Sequence, residues 1–219
     1  MSKRDFIKDI DSDELQSVLK KYDFEIVNQV PFSEKELMVF YENYTDPLLT
    51  EARRLTNDNI FVLGNEMRAM LGHLADYRQN LQYRKNLKDA YGHFRRLNID
   101  AFKIICDEAD KSLLRYLKKH VHYDFRNVNS SFLFEYSQKY FKAKSLYLKA
   151  QVAEKTGSDR ASGNVIMMYY DATCAYAELL SYLKGAKSGI QTKVFWTIVT
   201  TIGSVAVSLG MIIINIITE

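Results

Sequence analysis

The sequence predicts an all-α protein, a bundle of long helices carrying a single transmembrane helix at its C-terminal end. Three observations lead there. Proline occurs only at Pro31 and Pro47 and glycine only nine times in 219 residues, while Leu, Lys, Glu, Ala and Tyr are common; helix breakers are scarce and helix formers abundant. Apolar residues recur at three- and four-residue spacing through most of the chain. Nothing charged lies between Lys193 and Glu219, and a run of that length, at about 1.5 Å per residue, crosses a hydrocarbon core of ~30 Å as one helix.

The elements follow in order. Residues 1–30 form an N-terminal segment, weakly apolar, with one short helix over about residues 12–21 capped by Asp11 and Glu14. Ser33 and Glu36 make a capping box before LMVFYENY, and Asp46-Pro47 opens a further helical turn. Asp58 heads a periodic segment, IFVLGNEMRAMLGHLADYRQ, which a polar patch over residues 79–86 separates from the next helix. That helix, LKDAYGHFRRLNIDAFKIICDEADKSLLRYLKKHVHY, runs about nine turns. DFRNVNSS is a turn; FLFEYSQKYFKAKSLYLKAQVAEK is helical up to Gly157, and Asp159 starts a last helix reaching about Leu183. Residues 31–185 thus read as one cytoplasmic helical domain, 186–193 as a juxtamembrane joint and 194–218 as the span.

Charge and cysteines bound the function. A net charge of +3 is too small to point to nucleic acid by itself and suits an anionic leaflet. Cys106 and Cys174 stand alone in helical contexts, which excludes a disulfide framework and a Cys-based zinc site. Lys184, Lys187 and Lys193 precede the span, with Phe195 and Trp196 at its start, placing the N-terminal domain in the cytoplasm. MSKRDFIKDIDSDEL has no apolar core of a signal peptide.

The span has a face. Thr197, Thr201, Ser204, Ser208 and Asn215 recur at spacings of four, three, four and seven, a polar stripe that only Met211 interrupts. Lipid offers no hydrogen bonds, so the stripe is better placed against another helix or lining water. Ser204/Ser208 and Ala206/Gly210 have the spacing that lets helix backbones approach closely. The expected partners are therefore a second copy of the chain and the bilayer itself.

Chemistry, if any, belongs to the middle of the chain. NEMRAMLGHL places Glu66, Arg68 and His73 on one helix, and YGHFRRLNID places His93, Arg96 and Asp100 on the next. With a turn near Gln82, Gly72 and Gly92 meet at one level of an antiparallel hairpin, where the glycines would serve close packing and bring His73 near His93. Glu66 and His73, seven apart, share one helical face, as do His93, Arg96 and Asp100. The cluster is open to two readings, a polar packing contact or a reactive site.

The Glu66, Arg68, His73, Leu74 pattern, followed by Gly92, His93 and Asp100, resembles the HEPN superfamily of prokaryotic toxin and phage-defence proteins, over roughly residues 58–119. The resemblance implies that Arg68 and His73, from two protomers, would promote attack of an RNA 2′-hydroxyl on the adjacent phosphate without a metal. Arginine forks onto phosphate and histidine exchanges protons near neutral pH, which suits that role. Arg78, Arg84, Lys85, Arg95 and Arg96 are the cations available to an RNA strand. The sequence departs at Ala69, where active members often carry a polar residue. Joined to a membrane span, the architecture is similar to the small membrane accessory of type VI-B CRISPR systems, whose helices form a ring and whose spans form a pore; RNA or a CRISPR effector are the partners that likeness implies.

Elsewhere the signals are bland. His120 and His122 sit two apart and diverge on a helix, so with Asp124 they mark a solvated helix end rather than a metal site. The fifteen tyrosines fill helix interfaces and reach polar partners. No phosphate loop, nucleophile elbow or dinucleotide fingerprint is present, so no metal, cofactor or small-molecule substrate is expected. The function expected is a membrane-anchored oligomeric effector or accessory in bacterial antiphage defence that perturbs the inner membrane; a membrane-tethered ribonuclease and a plain tail-anchored scaffold are the alternatives.

Overall fold

The computed structural model describes residues 12–56, 61–79, 82–119, 131–156 and 164–186. Their regular structure is helical throughout, in a bundle of long helices. The helices are α1 (Ser12–Lys21), α2 (Phe24–Val27), α3 (Glu34–Phe40), α4 (Asp46–Thr56), α5 (Phe61–Arg78), α6 (Tyr83–Lys119), α7 (Phe132–Thr156) and α8 (164–186). Among the described residues no helix is long and apolar enough to cross a membrane. The run 194–218, with Thr197, Thr201, Ser204, Ser208 and Asn215, lies outside them, as do His120, His122 and Asp124.

Residues 12–27 pack into the bundle. Leu15, Leu19 and Val27 are buried in the same core as the long helices, and a second short helix, α2, follows α1, with the Asp23 carboxylate accepting from the Ile26 amide at 3.0 Å. The weak apolar content of residues 1–30 conceals this because a few buried leucines suffice. At α3 the Ser33 hydroxyl accepts from the Glu36 amide at 3.2 Å, while the Glu36 carboxylate takes the amide of Phe32 rather than that of Ser33. This is a capping box displaced by one residue.

Asp46-Pro47 opens α4 as expected, in unbroken continuity with the turn before it. A π turn, Tyr41–Thr45, joins α3 to α4, and the Asp46 amide bonds to the Tyr41 carbonyl five residues back. Pro47 has no amide to donate and its ring crowds the carbonyl four residues earlier, so a local widening of the helix accommodates it. The widening sets Thr45, fully buried, against α6, where its hydroxyl and that of Tyr22 donate to the same Asn98 oxygen at 3.1 and 3.0 Å. The Asn98 amide nitrogen in turn donates to the Phe94 carbonyl at 2.8 Å.

α6 is the axis of the molecule. α4 and α5 pack on one side of it and α7 and α8 on the other. α7 runs antiparallel to α6, since Asp110, Asp107 and Lys103 meet Tyr140, Tyr147 and Glu154 in turn. α8 runs back alongside α6, with Cys106 against Thr173 and Asp110 against Tyr176. α1 covers α8 through the Tyr170 hydroxyl on the Leu19 carbonyl at 3.1 Å. The helix α8 continues through Gly185 to residue 186, so the expected joint begins beyond the glycine.

The contacts of α6 with α7 and α8 are dominated by tyrosine hydroxyls on carboxylates. Asp110 accepts from Tyr140 and Tyr176, each at 3.1 Å, and from Lys144 at 2.7 Å. Tyr147 donates to Asp107 at 2.7 Å and Tyr169 to Glu154 at 2.5 Å. Burial, with the neighbouring carboxylates, pushes these phenols up: Tyr140 to about 12, and Tyr147, Tyr169 and Tyr176 further. Because the folded values are raised, the unfolded chain loses its phenolic protons first, near pH ~10. Stability therefore holds from neutral pH up to about 9 and falls as pH rises through the folded values. A thermal midpoint followed from pH ~8 to ~11.5 drops above ~10 on this account; one that stays level contradicts it.

Candidate functional site

The sequence-predicted cluster sits on the α5/α6 hairpin. Gln82, in the left-handed region at φ 48°, turns the chain, and its carbonyl receives the amides of Lys85 and Asn86 at 2.9 and 3.1 Å, starting α6. Tyr77 and Tyr83 stack across the turn with ring centroids 4.3 Å apart. Arg78 forks onto the Glu34 carboxylate, tying the end of α5 to α3. These contacts fix the level at which the two helices face each other.

At that level the histidines meet. The His73 and His93 rings stack with centroids 5.3 Å apart and planes 18° from parallel. His93 Nδ1 lies 2.7 Å from Glu66 Oε2, both side chains about one-fifth exposed. With the carboxylate as acceptor, Nδ1 is the donor of this contact. His73 Nδ1 is buried with no hydrogen-bond partner among the described residues. Glu66 therefore reaches across the hairpin to His93 instead of along its own helix to His73, and the two α5 residues converge on the one α6 ring.

The glycines do not produce this closeness. Gly72 and Gly92 are exposed, and a Cβ added at either meets nothing within 4 Å. They share the level of the histidines but lie on the outward side of each helix, because the neighbouring position on a helix is turned by about 100°. The expectation that they serve close packing within the hairpin is corrected accordingly.

Arg68 and Arg96 are exposed. Five residues from His73, Arg68 is turned about 140° away from it around α5, so one chain does not bring the pair together. Asp100, two turns beyond His93, is partly buried and accepts from Lys103 at 3.3 Å; Lys103 also donates to Glu154 of α7 at 3.0 Å. Burial pushes the Asp100 carboxyl up, Lys103 opposes that, and the charges of Glu154 and Glu66 add to it. Burial works against the Lys103 ammonium, yet Glu154 and Asp100 hold its proton more firmly than usual.

Asp100 and Glu154 thus share Lys103, and the charge of Glu66, which pairs with His93, is felt at Asp100. Such a neighbourhood repels a phosphate backbone and suits a hydrogen-bonded packing contact. Arg95, two residues after His93 on α6, has its guanidinium 5.9 Å from the Tyr91 ring centre. Among the described residues no three His, Cys, Asp or Glu side chains are arranged to hold a metal ion.

Sequence reasoning missed the Glu66–His93 pair, which periodicity on single helices does not reveal. It also missed the aromatic clamp at the turn, although Tyr77 and Tyr83 stand at its two ends. No family model, curated protein or solved structure matches the chain. The class that the geometry itself defines is an all-helical bundle with a histidine pair inside one hairpin.

As a packing contact, the ring at position 73 matters more than its nitrogens. His73→Phe keeps the stack and leaves stability within about 0.5 kcal/mol of wild type, whereas His73→Ala loses about 1 kcal/mol. Denaturant midpoints of the full chain in detergent measure both, and equal losses for the two variants contradict the ring-stacking role.

Proposed function

We propose that the chain is a membrane-anchored, self-associating effector or accessory of bacterial antiphage defence that perturbs or permeabilises the inner membrane. One observation carries the reading: an uncharged run over residues 194–218 with a single polar stripe, Thr197, Thr201, Ser204, Ser208 and Asn215. A span needs no such stripe to anchor a protein, and in lipid the stripe gains most by facing a second helix or water. The bundle is in keeping with it, since α8 remains helical to residue 186, leaving residues 187–193 between the domain and the run. The defence setting rests on the HEPN-like pattern of Glu66, Arg68, His73 and His93.

Replacing Ser204 and Ser208 together by leucine keeps the run apolar and removes the centre of the stripe. The double variant inserts as wild type does but loses dye leakage from vesicles holding the full chain. Leakage equal to wild type, or none from either protein, favours a plain tail-anchored scaffold and overturns the proposal.

A second reading, a membrane-tethered ribonuclease, draws on the convergence of Glu66, His73 and His93 at one level. Since Arg68 faces away from His73, the reactive pair has to combine residues of two copies. It requires RNA cleavage in the presence of a chelator, lost in Arg68→Ala and in His73→Ala; an oligomer that leaves RNA intact sinks it.

A further inference from the structure

α7 is apolar on two opposite sides. Its inner side, Phe132, Tyr136, Ala143, Tyr147, Ala150 and Ala153, is buried, as expected of a helix packed between α6 and α8. Its outer side carries Phe134, Phe141, Leu148 and Val152, which are 66, 69, 49 and 59% exposed. Spacings of seven, seven and four put these four in one line along the helix. An ordinary solvated helix face is polar, and contiguous large apolar side chains on a surface mark a place where something docks.

The rim of the stripe says what kind of surface that is. Lys142, Lys149 and Lys155 are exposed beside it. No acidic residue lies three or four positions from Lys142 or Lys149 to neutralise them along the helix. The two acids of α7 point inward: Glu135 accepts from Tyr182 at 2.9 Å, and Glu154 from Tyr169 and Lys103. A second copy of α7 laid antiparallel on the stripe would bring the edge of Lys142 and Lys149 against the same edge of its partner, lysine against lysine. The occupant has to be apolar in its interior and negative at its surface, which describes the boundary between acyl chains and phosphate headgroups.

We propose that the outer face of α7, with Phe134, Phe141, Leu148 and Val152 inserted and Lys142, Lys149 and Lys155 on the phosphates, docks flat on an anionic lipid bilayer. The proposal deepens the membrane reading above, since a span at 194–218 holds the domain beside the same surface, yet the two are separable. The aromatic and aliphatic side chains supply the apolar insertion, and each lysine stem lies along the acyl boundary while its ammonium reaches the headgroups.

The test is lysine footprinting of the full chain in phosphatidylcholine vesicles with and without phosphatidylglycerol at about one lipid in three. A water-soluble acylating reagent is used and sites are read by mass spectrometry. Lys142, Lys149 and Lys155 are acylated about tenfold more slowly in the anionic vesicles, while exposed Lys88 on α6 reacts equally in both. Phe141→Ser with Leu148→Ser, both at exposed positions, abolishes the protection without unfolding the chain.

Equal acylation of the three lysines in both vesicle types, by protein that resists alkaline carbonate extraction, overturns the docking and leaves the anchor standing. Protein that floats with anionic vesicles and shows the protection, yet is released by carbonate, sustains the docking and overturns the anchor. Protection that follows protein concentration and ignores lipid charge assigns the face to a protein partner and overturns the proposal.

Discussion

The Asp110 carboxylate is the point on which the packing of the long helices depends. Its side chain is only 13% exposed, and a carboxylate so far from water is stable only if its oxygens are met by donors. α7 supplies Tyr140 and Lys144, and α8 supplies Tyr176. Shifting either helix by one residue would turn its donors about 100° away from the acid. Apolar packing alone would tolerate several registers among alanine-rich faces such as Ala143, Ala150 and Ala153 of α7. A partly buried acid with donors from two helices tolerates one.

The same logic extends along α6. Cys106, Asp107 and Lys103 face Thr173, Tyr147 and Glu154, so a polar seam flanks the apolar core formed by residues such as Phe102, Ile105 and Ala109. Burial pushes the Cys106 thiol up to about 12, which makes it an inert packing residue rather than a nucleophile. On the other side of α6, Asn98 gathers the hydroxyls of Tyr22 and Thr45 and so attaches the N-terminal helices and the π turn. The histidine pair belongs to this system of hydrogen-bonded helix contacts through Glu66 on His93.

Much of the fold was legible in the sequence because long helices announce themselves by period and by caps. α1 runs over the residues expected, α6 is one unbroken helix, and the turn at Gln82 brought His73 and His93 together, as expected from their similar distances on either side of it. What was not legible depends on neighbours in space. Nothing in residues 1–30 discloses that Leu15 and Val27 complete a core built by α6 and α8. Glycines at one level of a hairpin look like a close contact until the helices' rotation places Gly72 and Gly92 outside it. α7 reads simply as apolar, and only the packed bundle separates its buried side from the stripe of Phe134, Phe141, Leu148 and Val152.

The dependence on Asp110 is measured most directly by a double-mutant cycle between Asp110→Ala and Tyr176→Phe in the full chain, using denaturant unfolding in detergent. The account gives a loss of about 3 kcal/mol for Asp110→Ala and a coupling of about 1–2 kcal/mol between the two positions. Additive losses would contradict it, for then Tyr176 and Asp110 would contribute independently and the register of α8 would rest on apolar packing alone.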